Sequence, residues 1–268
     1  MRELLRAAAV MGVVGVLLVP GALGQGRVLE DHEWCDRGDQ DRGWACEVRE
    51  FTLSASGSLD VDARPNGGIR VEGWDRNELH VLARVAAQAD SDADARSILG
   101  DVQVDVSGSS IDADGPRTDR GESWSVSFRV SVPRSTDLSL ESTNGGISIS
   151  QVSGDLEFRT TNGGVKLVDV AGNVRGRTTN GGLTVELAGA EWQGTGLDVA
   201  TTNGGVTLLI PDGYNAQLET GTVNGGLQFD FPVTVQGRLN RNISTNLGDG
   251  GAPIRVRTTN GGVAVKRK

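Results

Sequence analysis

The histidines and cysteines are the side chains of this chain best suited to nucleophilic catalysis or metal binding, and they are few. The 268 residues include His32 and His80 as the only histidines, and Cys35 and Cys46 as the only cysteines. A Ser-His-Asp triad would need one of these histidines, and the sequence has no Gly-x-Ser-x-Gly motif to hold a nucleophilic serine. We therefore predict no catalytic residue, no metal site and no cofactor.

Three carboxylates, Asp155, Glu157 and Asp169, provide the main alternative that involves catalysis. If the chain forms a parallel β-solenoid, as argued below, these acids could lie close together across neighbouring coils. Polysaccharide-cleaving sites need two acids about 5 to 10 Å apart on one face. The chain has 35 acidic residues, so some pairs fall close by chance. We therefore predict that the protein is not an enzyme, with a polysaccharide-active solenoid (lyase-like or glycosidase-like) as the alternative.

Carbohydrate binding without catalysis is a second alternative, and it depends on Trp192. This residue follows Glu191, and Tyr214 comes about one repeat later. An aromatic ring can stack on a sugar while polar neighbours form hydrogen bonds with it. The same three residues also suit a structural role, in which they cover an end or a corner of the fold.

The first 24 residues have the features of a secretory signal peptide. Arg2 and Arg6 give a basic start, an apolar run covers residues 7–19, and small residues lead to a cleavage site after Gly24. The run is too short for a membrane-spanning helix, which needs about 20 apolar residues. We predict an exported protein, located in the periplasm, at the cell surface or outside the cell, with no membrane span once residues 1–24 are removed.

The chain is acidic, with a formal net charge of −9 at pH 7. Removal of the signal peptide takes away two arginines and one glutamate and so adds one negative charge. A negative protein repels phosphate backbones, so nucleic acid is not an expected partner. The sequence leaves an unidentified surface, glycan or protein as the expected ligand.

The two cysteines predict a disulfide within an N-terminal segment, residues 25–50. In an exported chain, Cys35 and Cys46 are expected to pair. The bond closes a loop of about 12 residues and should constrain the unfolded chain by roughly 3 kcal/mol. A metal site built from both cysteines and His32 is the less favoured alternative, because it lacks a fourth ligand and would lie in an oxidising compartment.

A repeated Asn-Gly-Gly tripeptide is the strongest pattern in the sequence. From the second copy onward the steps are 18, 18, 23, 21 and 36 residues, and four copies are preceded by Thr-Thr. A regular step near 20 residues is typical of stacked repeats. The asparagines of the seven copies are Asn66, Asn144, Asn162, Asn180, Asn203, Asn224 and Asn260.

Each tripeptide precedes an alternating apolar segment that predicts a β-strand, as in Val165 and Leu167. A repeat of 18 to 23 residues is then turn, strand, turn, strand. An antiparallel meander is the alternative, but the identical phase of the corners favours an all-β parallel solenoid. We expect each asparagine to occupy the corner with positive φ, so that Asn162→Ala would cost on the order of 1 kcal/mol from backbone strain.

The β-repeat domain is predicted over residues 51–268. Its regular Asn-Gly-Gly repeats cover residues 141–268, and residues 51–140 are less regular. Within that part, Ser91 to Leu99 interrupts the strand pattern and begins like a capped helix, so we predict one short helix there. Acidic residues in this segment imitate a calcium loop, but Ala95 stands where such a loop needs glycine.

The run from Phe128 to Pro133, followed by Asp137-Leu138-Ser139-Leu140 and Ser142-Thr143-Asn144-Gly145-Gly146-Ile147, resembles the putative-adhesin domain family of exported bacterial proteins. The likeness covers roughly residues 50–268. It implies an all-β repeat fold and an envelope or surface location. The repeat and the lack of a catalytic constellation predict a non-enzymatic, adhesin-like interaction module of the envelope or cell surface. It carries over no catalytic residue, because no such residue defines the family.

Overall fold

The computed structural model describes residues 26–29, 32–35, 42–232 and 241–268, and the predicted signal peptide lies outside them. The elements in chain order are β1 (Arg27–Leu29), a 3₁₀ helix (Glu33–Cys35), β2 (Gly43–Ser54), β3 (Ser58–Asp62), β4 (Ile69–Trp74), β5 (Glu78–Ala89), α1 (Asp92–Asp101), β6 (Gln103–Val106), β7 (Ser110–Asp114), β8 (Ser123–Pro133), β9 (Asp137–Ser142), β10 (Ile147–Ser150), β11 (Ser153–Asn162), β12 (Val165–Val168), β13 (Ala171–Asn180), β14 (Leu183–Glu186), β15 (Gly196–Asn203), β16 (Val206–Ile210), β17 (Ala216–Asn224), β18 (Leu227–Phe229), β19 (Asn242–Leu247), β20 (Pro253–Asn260) and β21 (Val263–Arg267).

Two large sheets enclose one hydrophobic core, which confirms the predicted β-solenoid-like fold. Sheet A has eleven strands in the order β1-β2-β5-β8-β4-β10-β12-β14-β16-β21-β18, and sheet B has ten in the order β19-β17-β20-β15-β13-β11-β9-β3-β7-β6. Each Asn-Gly-Gly corner joins a strand of sheet B to the next strand of sheet A, and we call that unit a coil. Successive coils pair in parallel, so that Asn162 lies opposite Asn180.

Alternation along the strands builds the core, as the sequence predicted. In β11 the side chains of Leu156 and Phe158 are buried, and in β12 those of Val165 and Leu167 are buried. Side chains at every second position point to the same face of a strand, so the two sheets turn their apolar sides toward each other. Most of the buried apolar residues of both sheets belong to one continuous cluster, and a smaller cluster lies between α1 and strands β2 and β5.

The asparagines do not take the corner conformation that we expected. Among the described residues, the non-glycine residues with positive φ are Arg64, Gln151 and Asp169, and none is a repeat asparagine. The asparagine side chains instead form a ladder, because parallel coils place them one strand spacing apart. Each Nδ2 donates to the Oδ1 of its neighbour in the order Asn224, Asn260, Asn203, Asn180, Asn162, Asn144, Asn66.

The other residues of the repeat also satisfy specific backbone groups at the corner. The first glycine, such as Gly163, donates its N–H to the carbonyl of Asn180 at 3.0 Å. Its own carbonyl accepts a hydrogen bond from the Thr178 hydroxyl at 2.8 Å. That threonine is buried, whereas its neighbour Thr179 is exposed, as strand alternation predicted. The inner threonine therefore pairs a carbonyl that would otherwise be buried without a partner.

We expect Asn162→Ala to lower the free energy of unfolding by about 1 kcal/mol, for a reason different from strain. The variant loses one hydrogen bond donated to Asn144 and one accepted from Asn180, both at 2.8 Å. Exposed amides recover part of this loss from water. Urea denaturation would measure the change, with Thr161→Ala at the exposed neighbouring position as the control. Equal stability of the two variants would contradict a structural role for the ladder.

The order of the last coils differs from their order in the chain. The coil of β20 and β21 lies between that of β15 and β16 and that of β17 and β18. The 36-residue step after Asn224 therefore does not add two coils at the end of the stack. Strand β19 turns back and pairs antiparallel with β17. Residues near the C-terminus therefore form a coil that lies between two coils whose residues come earlier in the chain.

The less regular N-terminal part contains the predicted short helix, α1. Its N-cap is Ser91, whose hydroxyl accepts a hydrogen bond from the backbone N–H of Asp94 at 3.2 Å. Strands β2, β5 and β8 pair antiparallel and extend sheet A beyond the repeats. Strand β2 (Gly43–Ser54) runs continuously across the predicted boundary between residues 25–50 and 51–140.

Candidate ligand-binding groove

The predicted disulfide is present and holds the N-terminal segment against sheet A. Cys35 ends the 3₁₀ helix and is bonded to Cys46 in β2. This bond places Trp34 over β8, where the ring centroid lies 3.9 Å from Cζ of Arg129. A guanidinium at that distance interacts favourably with the ring face. The disulfide thus positions an aromatic side chain at the end of the repeats.

A groove of about 540 Å³ begins at Trp34 and crosses the outer face of sheet A. Its floor contains the second glycine of successive corners, at Gly68, Gly146, Gly164 and Gly182. Glycines leave no side chain above the strands, so the groove is open along the stacking direction. It crosses five strands, β8, β4, β10, β12 and β14, which at about 4.8 Å per strand gives a length of about 19 Å.

A row of polar side chains borders this floor. Arg129 lies opposite Arg70, Arg70 opposite Ser148, Ser148 opposite Lys166, and Lys166 opposite Thr184. All five residues line the groove. The row therefore presents three cations and two hydroxyl groups on neighbouring strands. Two arginines directly opposite each other repel, which is unfavourable in a free sheet.

These cations lack acidic partners within the part of the chain that the structure describes. Arg70, Arg129 and Lys166 take part in no ion pair or hydrogen bond there, and Arg129 lies against the Trp34 ring. Burial lowers the pKa of Arg84, on the next strand, and the positive charge of Arg129 lowers that pKa further. The groove is thus a concentration of positive charge on an acidic protein.

The carboxylates nearest to this row have other contacts or lie outside the floor. Glu50 accepts hydrogen bonds from Arg27, and its Oε1 lies 2.9 Å from Nε2 of His80. The hydrogen bond with His80, followed by that with Arg27, lowers the pKa of Glu50. Glu72 follows Arg70 by two residues on β4 and does not line the groove. Neither carboxylate forms an ion pair with Arg70, Arg129 or Lys166.

The aromatic residues proposed from the sequence as sugar contacts are in the core. Trp192 is 6% exposed and Tyr214 is 3% exposed. The Trp192 Nε1 donates to the carbonyl of Gly172 at 3.0 Å, and burial, with the negative charge of Glu191, raises the pKa of Tyr214 to about 12. Glu191 alone is exposed. Two buried rings cannot stack on a ligand, so this predicted contact is corrected.

The proposed acid set is separated by the fold. Asp155 and Glu157 both line a shallow pocket on the outer face of sheet B, whereas Asp169 lies in the turn after β12. Asp155 accepts a hydrogen bond from Nδ2 of Asn173 at 3.0 Å. Among the described residues, no group of three His, Cys, Asp or Glu side chains could hold a metal ion.

The groove residues were not identified from the sequence, although a signal for them exists. When the seven repeats are aligned on their asparagines, the fourth residue after each asparagine falls between two core-facing positions, so that it lies on the outer face of sheet A. The residues at this position are Arg70, Ser148, Lys166, Thr184, Thr207, Gln228 and Ala264. Arg129 and Trp34 lie outside the repeats, so only the tertiary structure brings them to the row.

The fold and the groove together define a β-solenoid-like repeat protein with a polar surface along one sheet. The chain belongs to the Toastrack family, DUF4097, which matches residues 56–266. A search of curated protein sequences gives no significant match. Within the described residues, no helix is long and apolar enough to cross a membrane.

Several solved bacterial structures are similar to this chain at low sequence identity. A putative cell adhesion protein from Clostridium sporogenes is 11% identical, with 84% of this chain and 100% of that chain covered and a TM-score of 0.42. A putative adhesin from Bacteroides fragilis is 11% identical, with 84% and 97% covered and a TM-score of 0.35. A putative lipid binding protein from Parabacteroides distasonis is 9% identical, with 82% and 96% covered and a TM-score of 0.30.

Proposed function

We propose that the protein is a non-enzymatic, adhesin-like module that is exported and binds a ligand of the cell envelope or cell surface. The observation that carries this proposal is the groove on sheet A, in which Arg70, Arg129 and Lys166 form no ion pair or hydrogen bond with any described residue. Unpaired charges directly opposite each other reduce stability. Contact with a ligand would relieve this repulsion.

The scaffold beneath the groove supports a binding role. The strands that carry the row are joined by parallel pairing, and their inner side chains are packed in the core. A ligand therefore meets a row whose backbone is already fixed, so that ordering on binding is confined to the side chains. The predicted signal peptide and the Cys35–Cys46 disulfide support export, since disulfides persist in oxidising compartments.

A groove-filling substitution tests the proposal. The chain without residues 1–24 would be applied to an array of bacterial glycans and to isolated envelope polysaccharides, alongside Ser148→Trp and the control Thr161→Trp. Ser148 lies in the middle of the row, and Thr161 is exposed in β11 of sheet B. We expect binding by the wild type and the control, and loss of binding by Ser148→Trp.

Two results would contradict the proposal. Conversion of any glycan into shorter or unsaturated products would indicate an enzyme. Binding that survives in Ser148→Trp would mean that the ligand contacts another surface. Circular dichroism of each variant would verify that the solenoid remains folded, so that a loss of binding can be assigned to the groove.

A further inference from the structure

We propose that the ligand of the sheet A groove is a linear anionic polysaccharide lying along the solenoid axis, an inference that rests on the proposed function. Its first basis is charge. Arg129, Arg70 and Lys166 occupy one row on the neighbouring strands β8, β4 and β12, with only β10 between the last two. Anionic groups placed along this row would relieve the repulsion between the cations and would form charge-assisted hydrogen bonds.

The second basis is the shape of the groove. The groove runs perpendicular to the strands for about 19 Å, estimated from the strand spacing, and a line of four glycines forms about 14 Å of its floor. A compact anion would contact only one or two strands of such a groove. An extended polymer would contact each strand in turn and meet the same backbone geometry at each step. The groove therefore fits a chain better than a small ion.

The third basis is the pattern of hydroxyl groups among the cations. Ser148 separates Arg70 from Lys166, and Ser127 and Thr184 lie at opposite ends of the groove. One hydroxyl group between two cations and further hydroxyl groups at the ends suit a ligand that carries both hydroxyl and acidic groups, as a sugar chain with carboxylate or sulfate substituents does. At one end, Trp34 adds an aromatic edge against which a sugar ring can pack.

Nucleic acid fits the same row less well. A phosphate backbone carries a negative charge at every nucleotide, and its binding is dominated by the number of cations that neutralise it. Outside this groove the protein is strongly acidic, with a formal net charge of −9 for the whole chain. That charge repels a long polyphosphate beyond the few contacts that the row can make.

Titration calorimetry with defined polymers tests the inference. The probes are polygalacturonate and dextran sulfate as anionic glycans, dextran as a neutral glycan, and inorganic polyphosphate and duplex DNA as other polyanions. The two anionic glycans distinguish carboxylate from sulfate as the recognised group. We expect binding to at least one of them, weakened by added salt, and none to dextran.

A pair of double variants with equal charge assigns the binding to the groove. Arg70→Gln with Lys166→Gln should weaken binding at least about tenfold, because two charge-assisted contacts are lost. Arg159→Gln with Arg177→Gln removes the same charge from the outer face of sheet B, where Glu141 lies opposite Arg159. This control should bind as the wild type does.

The failures of the two proposals are distinguishable. The inference that the ligand is an anionic polysaccharide would be contradicted if dextran bound as tightly as the anionic glycans. It would also be contradicted if polyphosphate or DNA bound as tightly as any glycan. Equal losses of affinity in the two double variants would contradict it as well. If Ser148→Trp abolishes binding to a glycan of the array while the Arg70 and Lys166 variant retains it, the proposed function stands and this inference falls.

Discussion

Gly163→Ala is expected to destabilise the protein by more than about 2 kcal/mol, although the residue lies at a surface corner. A methyl group on Gly163 would overlap the carbonyl oxygen of Gly145 on the preceding coil. The carbonyl cannot move freely, because it accepts a hydrogen bond from the Thr160 hydroxyl at 2.9 Å. Overpacking against a fixed backbone typically costs 1 to 3 kcal/mol or more. Chemical denaturation of the purified variant would measure the loss.

The next residue provides a matched control for this substitution. A methyl group on Gly164 would meet its nearest neighbour, the carbonyl oxygen of Gly182, at 3.5 Å, which is an ordinary contact. We expect Gly164→Ala to change the unfolding free energy by less than about 1 kcal/mol. If both variants unfold at the same urea concentration, close stacking of the corners is not the reason for the first glycine.

Deletion of residues 252–268 is expected to abolish cooperative folding of the C-terminal coils. The deletion removes four buried apolar side chains of the inserted coil, those of Ile254, Val256, Val263 and Val265. Burial of such side chains contributes about 1.5 to 3 kcal/mol each, so the sum is comparable to the whole stability of a typical domain. Circular dichroism and thermal melting would show a lower strand content and a broad, early transition.

A shorter deletion serves as the control for this experiment. Removal of Arg267 and Lys268 takes away their ion pairs with Asp212 and Glu186, the contact of Arg267 with the Phe231 ring and the backbone hydrogen bond from Lys268 to Ile210. No buried apolar side chain is lost, so this truncation should cost much less than the long deletion. The long deletion would contradict our expectation if it melted with the wild-type transition. In that case the coil of β17 and β18 would have paired directly with that of β15 and β16.

The sequence predicts the regular part of the fold well, because local patterns determine it. The spacing of Asn-Gly-Gly predicts the stacked corners, and alternation predicts which residues, such as Leu156 and Phe158, face the core. The short helix follows from Ser91 and the acids after it. These features depend on residues close together in the chain, because turn preferences and strand alternation are determined over only a few residues.

Features that depend on distant parts of the chain were not predicted. The β20–β21 coil could pair in parallel with any coil that has the same Asn-Gly-Gly corner. The step length alone does not determine which coils become its neighbours. The asparagine conformation was predicted from turn preferences, whereas contact between coils decides it. The groove was missed because Arg129 and Trp34 reach it from outside the repeat. Sugar contacts were instead assigned to Trp192, since its burial cannot be read from local sequence.

The direction of the asparagine ladder has an electrostatic consequence. Every amide donates toward Asn66, whose own Nδ2 lies 3.5 Å from the carbonyl oxygen of Trp124. At the other end, Asn224 donates to Asn260, and its Oδ1 accepts from no other asparagine of the ladder. Aligned amide dipoles add, as peptide dipoles do along an α-helix, and neighbouring hydrogen bonds polarise one another. The positive pole of this array lies beside the coil of Arg70. The residues that stack the corners thus also bias the field at that end of the groove toward anions.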